Sequence, residues 1–371
     1  MTSPTTSIPQ WHASERAWDY RYAWLRDCAD AGIALTHAGA LPEADAVARG
    51  LARLLRGQPE TARPVQRLSG GHLPPEHLVA QLSGYADAPV RIGKGAAGQA
   101  QLDTLGEVVR LAGELERTGS CPPELLLQVP ALADAARSRW RLPDHGIWEV
   151  RGEQQDYVHS KVMAWNALRT ASHLADRGRI SSSPEPWGEE AQKIRSAIAA
   201  RGKGPTGSLA ISFQEKGMDS ALLAAYLVSF ISPTDADAAA TLDGVVAELE
   251  RWPLMARHFP ERDGIDAPSF PFIFPGLWAA SAEALLGRQL AAETRLQAIC
   301  RLGGPSGQLS EVAEPATAAL WGKFPQVQSH AALVDAALTI WPSPEGSFSV
   351  TVHILGSGGA GTAWSTLAPF V

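Results

Sequence analysis

Three places in the chain set acidic side chains beside aromatic ones. Glu149 follows Trp148 in a Gly-bounded loop that runs from Leu142 to Gly152. Glu311 closes the loop segment Gly307-Gln308-Leu309-Ser310-Glu311, ahead of Trp321-Gly322-Lys323. Asp19, Arg26 and Asp27 stand among Trp18, Tyr20, Tyr22 and Trp24. A carboxylate against an indole is partly desolvated, which raises its pKa and keeps it protonated, as a general acid requires. Glu149 beside Trp148 is therefore expected to hold a proton. A second carboxylate can activate water or attack the sugar, and flat aromatic faces receive sugar rings, so the set suits glycoside hydrolysis. Each member also has a plainer reading. Glu149 and Glu311 can be solvated loop charges, Arg26–Asp27 a surface ion pair, and most of the 12 tryptophans core.

The elements that must position these groups are helices. Apolar residues recur at three- and four-residue steps from Leu102 to Leu115 and again from Val158 to Leu174, the period of a buried helix face. The same reasoning predicts helices over Glu15–Ala40, 42–56 with Pro42 in the first turn, 124–140, 186–200, 219–231, 235–250, 272–287, 289–301 and 326–341. Residues 57–97 read as a long loop with short pieces, the kind of segment that in a compact domain is usually functional or hides an element. Ala221–Val228 is apolar almost all round and suits an inner helix shielded on every side. Long and short loops alternate, as when helices pair into hairpins. The fold class expected is all-α, a closed ring of helix hairpins with a funnel at the end that carries the long loops.

Composition narrows the rest. The chain of 371 residues is 45% hydrophobic and 19% charged, with a net charge of −7 and no basic cluster, so nucleic acid and anionic membrane are excluded as expected partners. Cys28, Cys121 and Cys300 lie far apart, and no Cys/His spacing suggests a metal. No leader-like stretch opens the chain and no run of about 18 apolar residues occurs, so a cytoplasmic location is expected. Residues 1–12 read as an extended lead-in, 13–342 as one barrel domain and 343–371 as a separate tail. In the tail, Ser347–Leu355 alternates like a strand and Gly356-Ser357-Gly358-Gly359-Ala360-Gly361 matches a dinucleotide fingerprint. Only ten residues follow, too few for the receiving helix, so no cofactor is expected.

At the level of whole motifs the chain resembles glycoside hydrolase family 15, the bacterial and archaeal glucoamylase, glucodextranase and trehalase-like proteins. The runs that carry the resemblance are Pro4-Thr5-Thr6-Ser7-Ile8-Pro9, Trp18-Asp19-Tyr20-Arg21-Tyr22-Ala23-Trp24-Leu25-Arg26-Asp27, and Pro89-Val90-Arg91-Ile92-Gly93 with Gln101-Leu102-Asp103. To these are added Gly146-Ile147-Trp148-Glu149-Val150-Arg151-Gly152, His159-Ser160-Lys161-Val162-Met163-Ala164-Trp165, Leu309-Ser310-Glu311, and Phe324-Pro325-Gln326 with Ser329-His330. The resemblance implies an (α/α)6 barrel and hydrolysis of α-glucosidic bonds with inversion, Glu149 being the general acid and Glu311 the general base. Inversion leaves room for a water, with the carboxyls about 6.5–9.5 Å apart. It further implies that Arg26 and Asp27 hold hydroxyls of the non-reducing sugar and that Tyr20 and Trp24 line that subsite. Trp148, Lys161, His258 and Trp321 complete the expected substrate contacts.

The departures from the family pattern matter as much. The N-terminal β-sandwich and the first barrel helix usual in the family are not expected in these residues. Val312 stands where a second acidic or amide residue follows the base, Lys94 where Asn follows the Val-Arg-Ile-Gly run, and Ser269 where an acidic residue is usual. An expected arginine is replaced by His258 or shifted to Arg257. Three functions stay open on these residues: an inverting hydrolase of a small or modified α-glucoside, a barrel using the same carboxylates for cyclisation, dehydration or rearrangement of a less polar metabolite, and a non-catalytic sugar-binding barrel. A missing helix leaves apolar barrel surface to cover, for which a homodimer is the expected partner arrangement.

Overall fold

The computed structural model describes residues 8–57, 63–258 and 269–342. Within them the helices are α1 (Leu25–His37), α2 (Leu41–Leu54), α3 (Asp103–Arg117), α4 (Pro123–Leu126), α5 (Val129–Arg139), α6 (Val158–Asp176), α7 (Glu185–Arg201), α8 (Ala224–Leu227), α9 (Ala238–Leu249), α10 (Ile273–Leu285), α11 (Gln289–Leu302) and α12 (Val327–Ile340). Four two-stranded antiparallel pairs decorate the loops: β1 (Ala23–Trp24) with β2 (Val65–Gln66), β3 (His77–Ser83) with β4 (Pro89–Ile92), β5 (Glu250–Arg251) with β6 (Leu254–Met255), and β7 (Val312–Ala313) with β8 (Leu320–Trp321).

Helix contacts trace two concentric rings. α1 packs on α3, α3 on α6, α6 on the 3-10 turn Ser220–Leu223 that runs into α8, that segment on α10, α10 on α12, and α12 back on α1. Around this inner ring α2 covers α1, α5 covers α3 and α6, α7 covers α6, α9 covers the Ser220–Leu223 turn, and α11 covers α10 and α12. Among the described residues this makes six inner segments and five outer ones, an (α/α)6 barrel short of one outer helix. The core lies between the rings: Leu25, Ile33, Leu111, Leu115, Leu132, Met163, Leu168 and Ile194 are all buried. Close approach inside the ring needs small residues. A Cβ on Gly106 of α3 would lie 2.5 Å from the Met163 carbonyl oxygen of α6, so only glycine lets these two backbones touch.

Three local expectations are corrected. The helix predicted from Glu15 begins only at Leu25, and residues 15–24 are mostly extended. Trp18, Tyr20, Tyr22 and Trp24 recur every second residue and are all buried, a strand-like alternation that outweighs the helical reading. Asp19 secures this stretch, accepting hydrogen bonds from Arg21 Nε at 2.7 Å and the Gly93 amide at 3.0 Å. The helix over 124–140 is two pieces, because Pro130 fits the first turn of α5 but would clash with the preceding turn of a continuous helix. The predicted helix over 219–231 reduces to the 3-10 turn and α8, which stops at Leu227, two residues before Ser229 with φ +56°. The long loop over 57–97 contains the β3–β4 hairpin, its first strand largely exposed. The strand and Gly-rich run predicted in the tail lie outside the described residues. No helix among the described residues is long and apolar enough to cross a membrane.

Candidate active site

The long loops enter the inner helices at their N-terminal ends, and those ends meet at one mouth of the barrel. Trp24, Arg26 and Asp27 come from the start of α1, Trp148 and Glu149 from the loop before α6, Arg257 and Phe272 from the approach to α10, and Glu311 and Lys323 from the loops before α12. Together they line a cavity of about 300 Å³. The two carboxylates singled out in the sequence thus face one space, with Trp18, Tyr20 and Trp24 along its wall.

Glu149 adopts a left-handed backbone, φ +58°, a costly conformation for a residue with a Cβ. Gln99 holds it there by donating its side-chain amide to the carbonyls of Glu149 and Val150 at 3.2 and 3.0 Å. The side chain meets Trp24, whose Nε1 donates to Oε1 at 2.7 Å, and Lys94, whose Nζ lies 2.7 Å from Oε2. Burial alone would raise its pKa, but the Lys94 ammonium, reinforced by Arg26 and the Trp24 bond, outweighs burial and leaves it lowered. The expectation that Trp148 would keep Glu149 protonated is therefore corrected. Trp148 packs on Phe272 and Phe274 at 5.8 and 5.7 Å between ring centroids, and its Nε1 donates to Asp219 at 2.7 Å.

Glu311 is held from one side only. The Tyr20 hydroxyl donates to Oε2 at 2.6 Å, and the Lys323 amide donates to the same oxygen at 3.2 Å. Gly322, with φ +76°, makes room: a Cβ there would sit 2.6 Å from Oε2. Burial and the neighbouring charge of Glu311 push the Tyr20 phenol well above its ordinary range, so it stays a donor. Among the described residues no hydrogen bond reaches Oε1, which leaves that oxygen for a water or a sugar.

Arg26 is buried and donates through Nη1 to Asp103 at 2.8 Å and Gln101 at 3.1 Å, so its place in the wall is fixed by α3. Asp27 is 6% exposed, lines the cavity, and makes no side-chain hydrogen bond to any described residue. Such a carboxylate can accept from sugar hydroxyls. Tyr20, Trp24, Arg26, Asp27 and Trp148 are brought together with the two glutamates. Lys161, His258 and Trp321 are not. Lys161 is fully buried below the Trp148 loop, where Nζ donates to the Leu142 carbonyl at 2.6 Å and pairs with Asp156 at 3.1 Å. His258 lines a separate cavity of about 230 Å³ on the far side of Trp148, and Trp321 sits in β8 opposite Val312. Arg257, beside His258 in the chain, lines the central cavity, its guanidinium 4.8 Å from the Phe272 ring centroid. Ser269 contributes through Oγ, 3.3 Å from Arg257 Nη2.

Four residues that matter here were not candidates from the sequence: Lys94 as the partner of Glu149, Asp103 as the partner of Arg26, Lys323, and Asp219. Asp219 caps the Ser220–Leu223 turn by accepting from the Ala221 amide at 2.8 Å, and burial pushes its pKa up to about 6. An Asp just ahead of an apolar run is an N-cap signal, so this one was findable. Among the described residues no group of three or more His, Cys, Asp or Glu is placed to hold a metal.

An all-α six-hairpin barrel with two glutamates, an aspartate and stacked aromatics at one mouth defines the class of fold and site. The sequence profile of "Glycosyl hydrolases family 15" matches residues 1–263, and the chain belongs to that family. It is 31% identical over 361 residues to a trehalase of Mycolicibacterium smegmatis, an alignment covering 95% of this chain and 54% of that protein. The chain thus spans about half the length of the curated relatives it matches. A solved glycosidase, described as wild type, superposes with a TM-score of 0.72 at 17% identity, covering 90% of this chain and 91% of that one. A bacterial glucoamylase complexed with acarbose superposes with a TM-score of 0.69 at 16% identity, covering 90% of this chain and 52% of that one. At these identities the structural likeness shows the (α/α)6 barrel fold.

Proposed function

We propose that the chain hydrolyses the α-glucosidic bond of a small or modified glucoside with inversion, Glu149 acting as general acid and Glu311 as general base. The observation that carries this reading is the asymmetric hold on Glu311: one oxygen fixed by Tyr20 and the Lys323 amide, the other without a hydrogen bond from any described residue, in a side chain that lines the same cavity as Glu149. A base that positions a nucleophilic water needs that arrangement, with one oxygen fixing its orientation and the other free to take the proton. The second glutamate is supported by Trp24, whose indole bridges from the sugar wall to its carboxylate. A cavity of about 300 Å³ is small for a binding site and suits one or two sugar rings better than a long chain. The trehalases among the relatives make an α-linked glucose disaccharide the natural first substrate to try.

In the reaction proposed, Asp27 and Arg26 hold the non-reducing ring, Glu311 draws a proton from water as the water attacks the anomeric carbon, and Glu149 protonates the departing oxygen. Glu149 is ionised while Lys94 is paired with it, so the ion pair opens before the acid can act. Incubation with trehalose, maltose and isomaltose, followed by proton NMR of the released glucose, tests the reading. β-Glucose as the first product is expected. Glu149→Gln and Glu311→Gln should each lower turnover by about 10²–10⁴-fold with the fold intact by circular dichroism. α-Glucose as the first product, or full turnover by either variant, refutes the assignment.

A further inference from the structure

Two lysine ammonium groups line this cavity without being assigned any contact to the sugar in the mechanism above. Lys323 is 5% exposed, and its Nζ lies 5.5 Å from the Tyr20 ring centroid and 5.3 Å from that of Trp24. No carboxylate or hydrogen-bond acceptor among the described residues pairs with that ammonium, although the side chain is buried and lines the cavity. Lys94, 8% exposed, places its Nζ 5.9 Å from the same Trp24 ring and 4.4 Å from Trp18. Both ammonium groups therefore flank the indole that also holds Glu149. Lys323 Nζ has no anion bonded to it among the described residues, and an ammonium group held away from bulk water is stabilised when something negative joins it. Aromatic faces offset only part of that cost. In a chain of net charge −7, two cations gathered at one sugar wall are a local feature and do not follow from composition.

Building on the glycoside-hydrolase reading, we propose that Lys94 and Lys323 form an anion-recognition pair in the sugar subsite beside Glu149. The glycoside this chain takes then carries a negatively charged group, a carboxylate or a phosphate ester, on the ring next to the bond that breaks. The pair explains the state of Glu149 as well. With the subsite empty, Lys94 pairs with Glu149. When the substrate's anion draws the Lys94 ammonium to itself, Glu149 loses its partner and takes a proton from solvent, becoming the acid. A neutral glucoside draws Lys94 away less, so its hydrolysis is slower. The substrate's charge thus arms the catalyst, and neutral sugars of the same shape are discriminated against.

Binding of product-like monosaccharides tests this without relying on turnover. Isothermal titration of the whole chain with D-glucose, D-glucuronate, glucose 6-phosphate and inorganic phosphate, each at low and high salt, is the measurement. We expect at least one anionic sugar to bind about tenfold or more tightly than glucose, the least that one charge-assisted hydrogen bond contributes. High salt should reduce the preference. Whichever of glucuronate and glucose 6-phosphate binds more tightly identifies the carboxylate or the phosphate as the group read. Lys323→Met should abolish the preference, with thermal unfolding to confirm its fold and Lys94→Gln as a second variant should it fail to fold. Glucose binding as tightly as both anionic sugars, or a preference that survives in the folded variant, overturns the pair and leaves the hydrolase reading standing. Inorganic phosphate binding as tightly as glucose 6-phosphate also overturns it, since the site would then read a free anion and not a sugar. No binding of any sugar, with no sugar released from any glycoside, removes both readings together.

Discussion

Replacing Tyr20 with Phe tests the hold on Glu311 most directly. The substitution deletes one oxygen and keeps the ring, whose centroid lies 5.9 Å from that of Trp24, so packing along the cavity wall is preserved. What is lost is a buried 2.6 Å bond from a phenol to a carboxylate. A hydrogen bond to a charged group contributes about 1.5–3 kcal/mol. At 1.36 kcal/mol per tenfold in rate, full expression in the transition state lowers kcat by about 10- to 150-fold. The Lys323 amide still reaches Oε2 at 3.2 Å, a longer bond that keeps the carboxylate in the site without fixing its rotation. Steady-state kinetics on whichever glycoside is hydrolysed, with denaturant unfolding alongside, is the assay. Because Tyr20 acts on the proposed base, kcat should fall while KM stays near its original value. A kcat within twofold of the parent refutes the reasoning, and a KM increase with kcat unchanged shows that Tyr20 contacts the sugar instead.

Lys94→Met removes the ammonium that keeps Glu149 ionised, and an acid works only when protonated, so the alkaline limb of kcat/KM against pH should move to higher pH; an unmoved limb refutes the coupling. Asp103→Asn leaves the buried Arg26 without its counter-charge and should destabilise the chain by about 3–5 kcal/mol in urea unfolding, an unchanged midpoint counting against the pair. His37 joins α1 to α3 and α12 through Glu114 and Asp335; burial lowers its pKa, but the two carboxylates win and raise it from 6.5 to about 9. Its contribution to stability is then complete below pH 6.5 and disappears as pH rises through about 9, so the unfolding free energies of the parent and His37→Gln should converge over that interval. A constant difference refutes the triad's charge.

The barrel was legible because its signal is local. Apolar residues three and four apart state where a helix turns its face to a core, and α3, α6, α7, α9, α10, α11 and α12 appear close to where periodicity puts them. Tertiary packing overrode periodicity at residues 15–24, where aromatics at every second residue share one face of an extended chain, and at 219–231, where an inner position allowed only one turn of α-helix. The pair of loop glutamates was visible as residue types beside aromatics. Their environment was not.

On its own, the chain of residues determined the fold class, the loops that carry carboxylates, and the aromatic stretch that walls the cavity, since all three depend on neighbours within a few positions. Only the tertiary structure decided what each glutamate touches. Trp148 is adjacent to Glu149 in sequence, yet a left-handed backbone at Glu149 accompanies a side chain bonded to Trp24 and Lys94, 125 and 55 positions away, and the direction of its pKa shift reverses. Tyr20 meets Glu311 across 291 positions. A pKa is set by charges and hydrogen bonds within a few ångströms in space, and closure of the helical ring is what brings residues so distant in the chain to that range.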